Sequence, residues 1–169
     1  MKPAALGFLF LGSLLFAGTT SFAQNKLGCI SMSELLTAMP EFKKADTTLA
    51  EYRSALEQEF ESYKTQYNEQ AAVLTSRDTL KFTKPQLDIK KKSLAQLLTK
   101  LQGYDQEAGQ LLSQKRSALL LPIQKRAEDA IQQVSKDNGY SFVFEKDNLH
   151  VYPSSEDILP LVKKRLGLH

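Results

Sequence analysis

The sequence predicts a mostly α, α+β protein in which a long antiparallel two-helix coiled-coil hairpin projects from a small body containing β-strands. Apolar residues recur at helical spacing along two successive stretches of similar length, which predicts the hairpin. Short segments of strand character occur only before the first stretch and after the second. A sheet of so few strands would not be stable alone. We therefore expect several copies of the chain to associate through their strands. The expected organisation is a leader at 1–23, a body at 24–40 and 120–169, and a hairpin at 41–119.

The first 23 residues have the pattern of a secretory signal peptide. Lys2 precedes an apolar run over residues 4–17, and Ser21 and Ala23 occupy the small-residue cleavage positions. We therefore expect an exported mature chain that starts at Gln24. An uncleaved anchor is the alternative, but the run is short for a bilayer span.

The mature chain is expected to open with a strand over residues 26–31 and a short helix. Ser31 and Glu34 have capping-box spacing, and Pro40 ends the short helix and opens the next one. The chain has 1 cysteine, which excludes an intramolecular disulfide. We predict that Cys29 is a buried small hydrophobe, with a reactive or intermolecular thiol as the alternative.

The first arm runs from Glu41 to about Arg77 and carries one apolar stripe. The stripe has spacings of four, four and three, an eleven-residue repeat typical of a helix. Its residues are Tyr52, Leu56, Phe60, Tyr63, Tyr67, Ala71 and Leu74. Glu57 and Glu61 lie one helical turn apart, a spacing at which two carboxylates could bind a metal or act as acid and base. However, no histidine is close in the sequence, and a single hairpin does not enclose the pocket that such a site needs. We expect them to be solvated surface charges.

The second arm follows Pro85 and has a heptad seam, which predicts packing against the first arm. The seam residues are Leu87, Leu94, Leu97, Leu101, Tyr104, Ala108, Leu111 and Ala118. We expect this arm to close at Leu121–Pro122, with helix resuming from Ile123 and stopping at Gly139.

Charge is distributed unevenly along the hairpin. From Arg77 to Lys100 there are seven Lys or Arg against two Asp, whereas the first arm is net negative. Such a cationic surface would attract an acidic or polar unfolded partner weakly and over a wide area, although a merely solvated face is the alternative. The candidate binding residues are Arg77, Lys81, Phe82, Lys84, Lys90, Lys91 and Lys92.

The carboxyl-terminal part of the body is expected to contain a β-hairpin and a short helix. Residues 140–145 and 149–152 have strand character on either side of a turn at 146–148, and Pro160 opens a final amphipathic helix. If copies pool their strands, the apolar strand residues form the oligomer core. These residues are Leu27, Cys29, Ile30, Phe142, Phe144 and Val151.

Motifs for catalysis and cofactors are absent from the sequence. It has no dinucleotide or P-loop glycine pattern, no nucleophile elbow and no zinc-protease helix, and His150 and His169 form no credible triad with Cys29. The formal charge of +3 does not favour nucleic acid. We therefore predict no enzyme activity, no cofactor, no metal and no nucleic-acid partner.

The order of several short motifs resembles the Skp/OmpH family of periplasmic chaperones. The matching segments are residues 26–32 with Leu35–Leu36, 39–45, 121–123, 130–131, 138–140, 142–146 and 157–158. The resemblance implies a periplasmic homotrimer with three helical tentacles that holds unfolded outer-membrane proteins in a central cavity without ATP. A structural or adaptor coiled-coil protein of the envelope is the alternative, and transient contact with a membrane or lipopolysaccharide stays open.

Overall fold

The computed structural model describes residues 25–168, so the predicted signal peptide at 1–23 lies outside the described residues. The elements are β1 Lys26–Ile30, α1 Met32–Ala38, α2 Pro40–Thr75, a 3-10 turn Arg77–Lys81, α3 Lys84–Asn138, β2 Tyr140–Glu145, the 3-10 turns Lys146–Asn148 and Ser154–Glu156, and α4 Leu159–Leu166. The predicted fold class is confirmed, because the chain is mostly helical with one long hairpin and a small strand pair.

The two long helices begin and end at local sequence signals. Pro40 and Pro85 lie in the first turns of α2 and α3, where a missing N–H costs no hydrogen bond. Thr83 and Gln86 cap α3 through a capping box, and Gly139 ends it in left-handed backbone at φ 72°. With 36 and 55 residues, the helices are about 54 and 83 Å long at 1.5 Å per residue. The end of α3 therefore reaches into the body.

The predicted apolar stripes meet between α2 and α3. Leu56 and Tyr104 are buried at 7% and 5% exposure. The other stripe and seam residues are half-buried, except Ala118, which is exposed. The hairpin is therefore joined by a thin seam and not by an enclosed core.

The expected break at Pro122 is wrong, because α3 continues through this residue as one helix. Proline removes one backbone donor and crowds the preceding turn. Leu121 and Pro122 both lie on the exposed side of α3, where water can hydrate the freed carbonyl. Leu120 and Ile123 pack into the core on either side of them. Tertiary packing on both sides of the proline holds the helix together.

The expected β-hairpin is also wrong. β2 pairs in parallel with β1, with Leu27 opposite Phe142, and residues 149–152 form no strand. A later segment lies at the other edge of β1, where Asp157 bridges to Cys29 and the Ile158 amide donates to the Cys29 carbonyl at 2.9 Å. Lys146 helps to fix this segment through an ion pair with Asp157 at 3.1 Å. In residues 25–168, the sheet thus has two strands.

The core of the body lies where α1, α4 and the sheet pack on the amino-terminal end of α2 and the carboxyl-terminal end of α3. Its buried members are Ile30, Leu35, Met39, Ala45, Ile123, Ala127, Ala130, Val134, Ile158, Leu159 and Val162. Gly28 is required at the edge of this core, since a Cβ there would lie 3.0 Å from Tyr140 and 3.1 Å from Ile158.

Candidate functional site

The predicted cationic residues gather at the end of the hairpin remote from the body, which we call the tip (residues 76–92). All but one of the cations are exposed, and Lys90 is half-buried. Within residues 25–168, Lys84, Lys91 and Lys92 enter no ion pair, so their charge is available to a partner. The structure therefore gathers these predicted residues on one surface.

The apolar part of the tip differs from the expectation. Phe82 is half-buried, and the Lys90 ammonium lies 4.7 Å from its ring centroid, a cation–π contact. The most exposed apolar side chains at the tip are Leu80 and Ile89, at 88% and 69% exposure. The sequence analysis missed both. Their exposure could have been predicted, because neither residue lies at a position of the apolar stripe or of the heptad seam.

A polar cluster joins the two helices near the middle of the hairpin. We call Glu59, Tyr63, Lys100 and Tyr104 the shank cluster. The Tyr104 hydroxyl donates to the Leu56 carbonyl at 2.8 Å and lies 3.2 Å from Glu59 Oε2. Tyr63 donates to Glu59 Oε1 at 2.5 Å, and the Lys100 ammonium lies 3.8 Å from the Tyr63 ring centroid. The contacts of Tyr104 and Lys100 cross from α3 to α2, whereas the Tyr63–Glu59 hydrogen bond lies within α2.

The surroundings of the shank cluster shift three pKa values. Burial, with a smaller contribution from Glu59, raises the pKa of Tyr104 to about 12. The hydrogen bond from Tyr63 lowers the pKa of Glu59, and the hydrogen bond with Tyr63 raises the pKa of Lys100. Each shift favours the protonation state that the group already has at neutral pH. The cluster therefore connects the two arms through groups whose neutral-pH protonation states its own contacts favour.

A groove runs between α2 and α3 from the body to the shank cluster, and we call it the shank groove. Cavities of 510 and 360 Å³ lie next to each other and share Arg53, Gly109 and Leu112 in their lining. A narrow cavity of 30 Å³ at Phe42 and Leu49 continues the groove to the body. The sequence analysis did not predict this groove, because its opening depends on how the two arms pack.

The residues predicted for the oligomer core fall into two groups. Cys29 and Ile30 are buried within the single chain at 1% and 3% exposure, so they are not accessible to a second copy. The other members are 45–89% exposed. These are Leu27, Phe142, Phe144 and Val151. They form an apolar surface on the body, and the rings of Phe142 and Phe144 lie 6.4 Å apart.

A cavity of 670 Å³ opens beside this apolar surface, lined in part by Leu27, Phe144 and Val151. Glu156 also lines it, and within the described residues its buried Oε2 has no hydrogen-bond partner. The adjoining Cys29 is a free, buried thiol whose pKa is raised by burial and by Asp157. The prediction that Cys29 is a buried small hydrophobe is confirmed.

The remaining candidate groups are distributed over the surface. Glu57 accepts from Arg53 at 3.1 Å and Glu61 from Lys64 at 3.2 Å, on exposed faces of α2. His150 is exposed and lies outside β1 and β2, whereas His169 lies outside the described residues. In residues 25–168, no group of three His, Cys, Asp or Glu could hold a metal ion. None of the described helices is both long and apolar enough to cross a membrane.

The arrangement defines a class of protein with a small mixed body and a long helical hairpin that presents open surfaces. The family described as Outer membrane protein (OmpH-like) matches residues 26–166. The chain therefore belongs to the OmpH-like family, which confirms the resemblance found in the sequence.

One solved structure supports the fold independently. It is the crystal structure of a proposed outer membrane chaperone (OmpH-like) from Caulobacter crescentus CB15. That structure is similar with a TM-score of 0.70 and 18% sequence identity, over 90% of each chain. At this identity the similarity establishes the fold alone. A comparison with curated proteins finds no match.

Proposed function

We propose that this protein is an ATP-independent holdase chaperone of the periplasm. It binds unfolded outer-membrane proteins through the surfaces of its hairpin and prevents their aggregation. The observation that carries the proposal is the hairpin itself, which projects from the body and exposes both cations and apolar side chains such as Leu80 and Ile89. Membership of the OmpH-like family supports the chaperone role.

The chemistry of the tip suits weak and reversible capture. Water and salt screen exposed charges, so each charge contributes little to the free energy of binding. Many such charges together increase the rate at which an oppositely charged client associates. Lys84, Lys91 and Lys92 supply such charges, and nearby apolar side chains supply short-range contacts. Binding energy spread over this surface would tolerate clients of different sequence.

The proposal includes a homotrimer assembled through the body. A two-stranded sheet is marginal alone and leaves strand edges open to pairing. The exposed side chains of Leu27, Phe142, Phe144 and Val151 offer an apolar surface that a second copy would cover. Light-scattering mass on the mature protein should give three chains, and a monomer at micromolar concentration would contradict this part of the proposal.

An aggregation assay tests the proposal as a whole. A denatured β-barrel protein is diluted from urea with and without the mature protein, in the absence of ATP, and light scattering is followed. We expect stoichiometric trimer to suppress the scattering. Unchanged aggregation would overturn the holdase function. An adaptor protein would behave differently, since a pulldown from envelope extract would recover one tight, saturable partner.

A further inference from the structure

The cavity of 670 Å³ on the body, which we call the body pocket, is lined by residues of the sheet and of the chain that follows it. Leu27 of β1 and Phe144 of β2 line it, together with Val151 and Glu156 from the later segment. The apolar members of this set are exposed, so the pocket is open. An aromatic side chain fits such a volume, because a cavity of about 150 Å³ already holds benzene.

The later segment is held at its two ends within the single chain. Lys146 pairs with Asp157 at 3.1 Å, and this contact closes residues 146–157 into a loop. Directly after the loop, the Ile158 amide donates to the Cys29 carbonyl at 2.9 Å. A compact loop whose ends are joined in this way is an Ω-loop, a type that is frequently functional. The body pocket is therefore formed before any partner binds.

The body pocket is incomplete in the single chain. Glu156 lines it, and within residues 25–168 the buried Oε2 of this carboxylate accepts no hydrogen bond. Buried polar atoms nearly always have a partner, because an unpaired one has lost its water without replacement. A purely apolar occupant would leave this oxygen unpaired. The occupant should therefore bring an apolar side chain and a hydrogen-bond donor together.

The outer edge of β2 carries both groups. Phe142 is 58% exposed, and it does not line the pocket, in contrast to its neighbour Phe144. β2 pairs with β1 on one side, and in residues 25–168 no strand lies at its other edge. An unpaired strand edge presents backbone N–H groups that can donate to another chain. Phe142 thus offers an apolar side chain on a strand that also offers donors.

The pocket and Phe142 are different surfaces of the same chain. The pocket is lined mainly by β1 and by the segment that reaches the far edge of β1 at Asp157, whereas Phe142 belongs to β2. Two different surfaces of identical chains pair head to tail, and such a contact closes into a ring when the rotation between copies allows it. The arrangement therefore fits a ring such as the proposed homotrimer.

From these properties we propose that Phe142 of one copy enters the body pocket of the next copy. An N–H group on the outer edge of β2 donates to Glu156 Oε2 in the same contact. Each copy supplies one aromatic side chain and one pocket, and the contact repeats around the ring. This proposal rests on the proposed homotrimer and specifies the residues that join its copies.

The chain offers a matched pair of variants, Phe142→Ser and Ile89→Ser. Both side chains are exposed, at 58% and 69%, but Ile89 lies at the tip, remote from the body. Light-scattering mass is measured on the full mature protein over a dilution series. We expect Phe142→Ser to raise the concentration of half-dissociation about tenfold or more, while Ile89→Ser matches wild type. Equal dissociation of the two variants overturns the proposal.

Cross-linking locates the contact without removing the aromatic ring. Phe142 is replaced by the photoreactive residue benzoylphenylalanine, and ordinary and isotope-labelled chains are mixed before irradiation. Mass spectrometry then identifies the cross-links that join one chain of each kind. We expect them at Leu27, at Phe144 and within residues 149–156 of the second chain. Cross-links confined to position 142 itself or to the hairpin overturn the proposal.

The hydrogen bond has its own test in Glu156→Leu. Loss of the acceptor should raise the concentration of half-dissociation about tenfold. Association equal to that of wild type would overturn the part assigned to Glu156.

The other outcomes separate this contact from the functions on which it rests. If wild type and Phe142→Ser are equally stable trimers, the homotrimer stands and the proposed contact is wrong. If Phe142→Ser keeps the wild-type mass but binds an unfolded β-barrel protein more weakly, the surface binds clients and the proposal is wrong. A monomeric wild type that still suppresses aggregation would overturn the contact and the homotrimer but leave the holdase function.

Discussion

In the body, α1, α4 and the end of α3 enclose side chains that are completely buried, among them Leu35, Ile158 and Val162. Along the free length of the hairpin, by contrast, Leu56 and Tyr104 are the buried residues within the described chain. The body therefore gains its stability from enclosed packing, whereas the hairpin depends on a thin seam and the shank cluster. A region with few enclosed contacts opens locally at low cost, which suits it to binding partners of varied shape.

The largest effect should come from the core of the body. We expect Leu35→Ala to lower the free energy of unfolding by about 3 kcal/mol, because it leaves a cavity in a closed core. Urea denaturation at one fixed protein concentration measures this, since association of copies adds to stability. The control is Leu80→Ala at the exposed tip, with an expected loss below about 0.5 kcal/mol. Equal losses of unfolding free energy in the two variants would contradict the difference in packing between the body and the hairpin.

The second effect concerns client capture by the tip. Changing Lys81, Lys84, Lys90, Lys91 and Lys92 together to Gln should weaken client binding about tenfold at low salt. Most of the salt dependence should vanish with the charges, because salt screens exposed cations. Binding of a labelled unfolded barrel protein is titrated at two ionic strengths.

A control for this change removes the same charge from exposed lysines outside the tip. The control variant carries Gln at Lys43, Lys44, Lys125, Lys136 and Lys164. It should bind clients nearly as wild type does. If both variants weaken equally, net charge and not the tip attracts the client.

A smaller effect should follow from the shank cluster. Tyr104→Phe removes the hydroxyl that donates to the Leu56 carbonyl, so the hairpin should lose about 1 kcal/mol of local stability. Amide hydrogen exchange would show faster exchange near residues 56–63 and unchanged exchange in α1 and α4. Tyr67→Phe on the stripe of the first arm is the control, and loss of protection throughout the chain would argue against local action.

The smallest effect is spectroscopic and concerns pH. Burial raises the pKa of Tyr104 to about 12 in the folded protein, against about 10 for an unfolded tyrosine. Its contribution to stability is thus complete below pH 10 and is lost as pH rises toward 12. Absorbance at alkaline pH should show a late tyrosine phase near pH 12, and Tyr104→Phe should remove that phase. The same late phase in the variant would reject the assignment.

Local signals allowed much of the fold to be predicted from sequence. Pro40 and Gly139 determine helix boundaries by backbone geometry alone, and the spacing of the stripes predicts which helix faces meet. The predicted third strand is wrong because residues 146–148 form a 3-10 turn after which residues 149–152 do not pair with β2, and the Lys146–Asp157 ion pair helps to hold the following segment at the far edge of β1. Local strand character contains no information about the path of the chain after a turn.

The candidate surfaces were predicted less completely than the fold. The cations of the tip are adjacent in sequence, so their clustering was predictable. The sequence could not distinguish burial of Cys29 and Ile30 within one chain from burial between copies, because both require apolar residues. The openness around Gly109 depends on the separation of two helices, which no single-helix pattern specifies.

The central claim is that the hairpin binds clients while the body assembles copies. Amide hydrogen exchange on the mature protein, with and without a saturating unfolded β-barrel protein, tests it directly. We predict new protection spread along α2, the tip and the facing part of α3, with no change in β1, β2 or α4. Protection confined to the body, or to one short segment of the hairpin, would contradict the account.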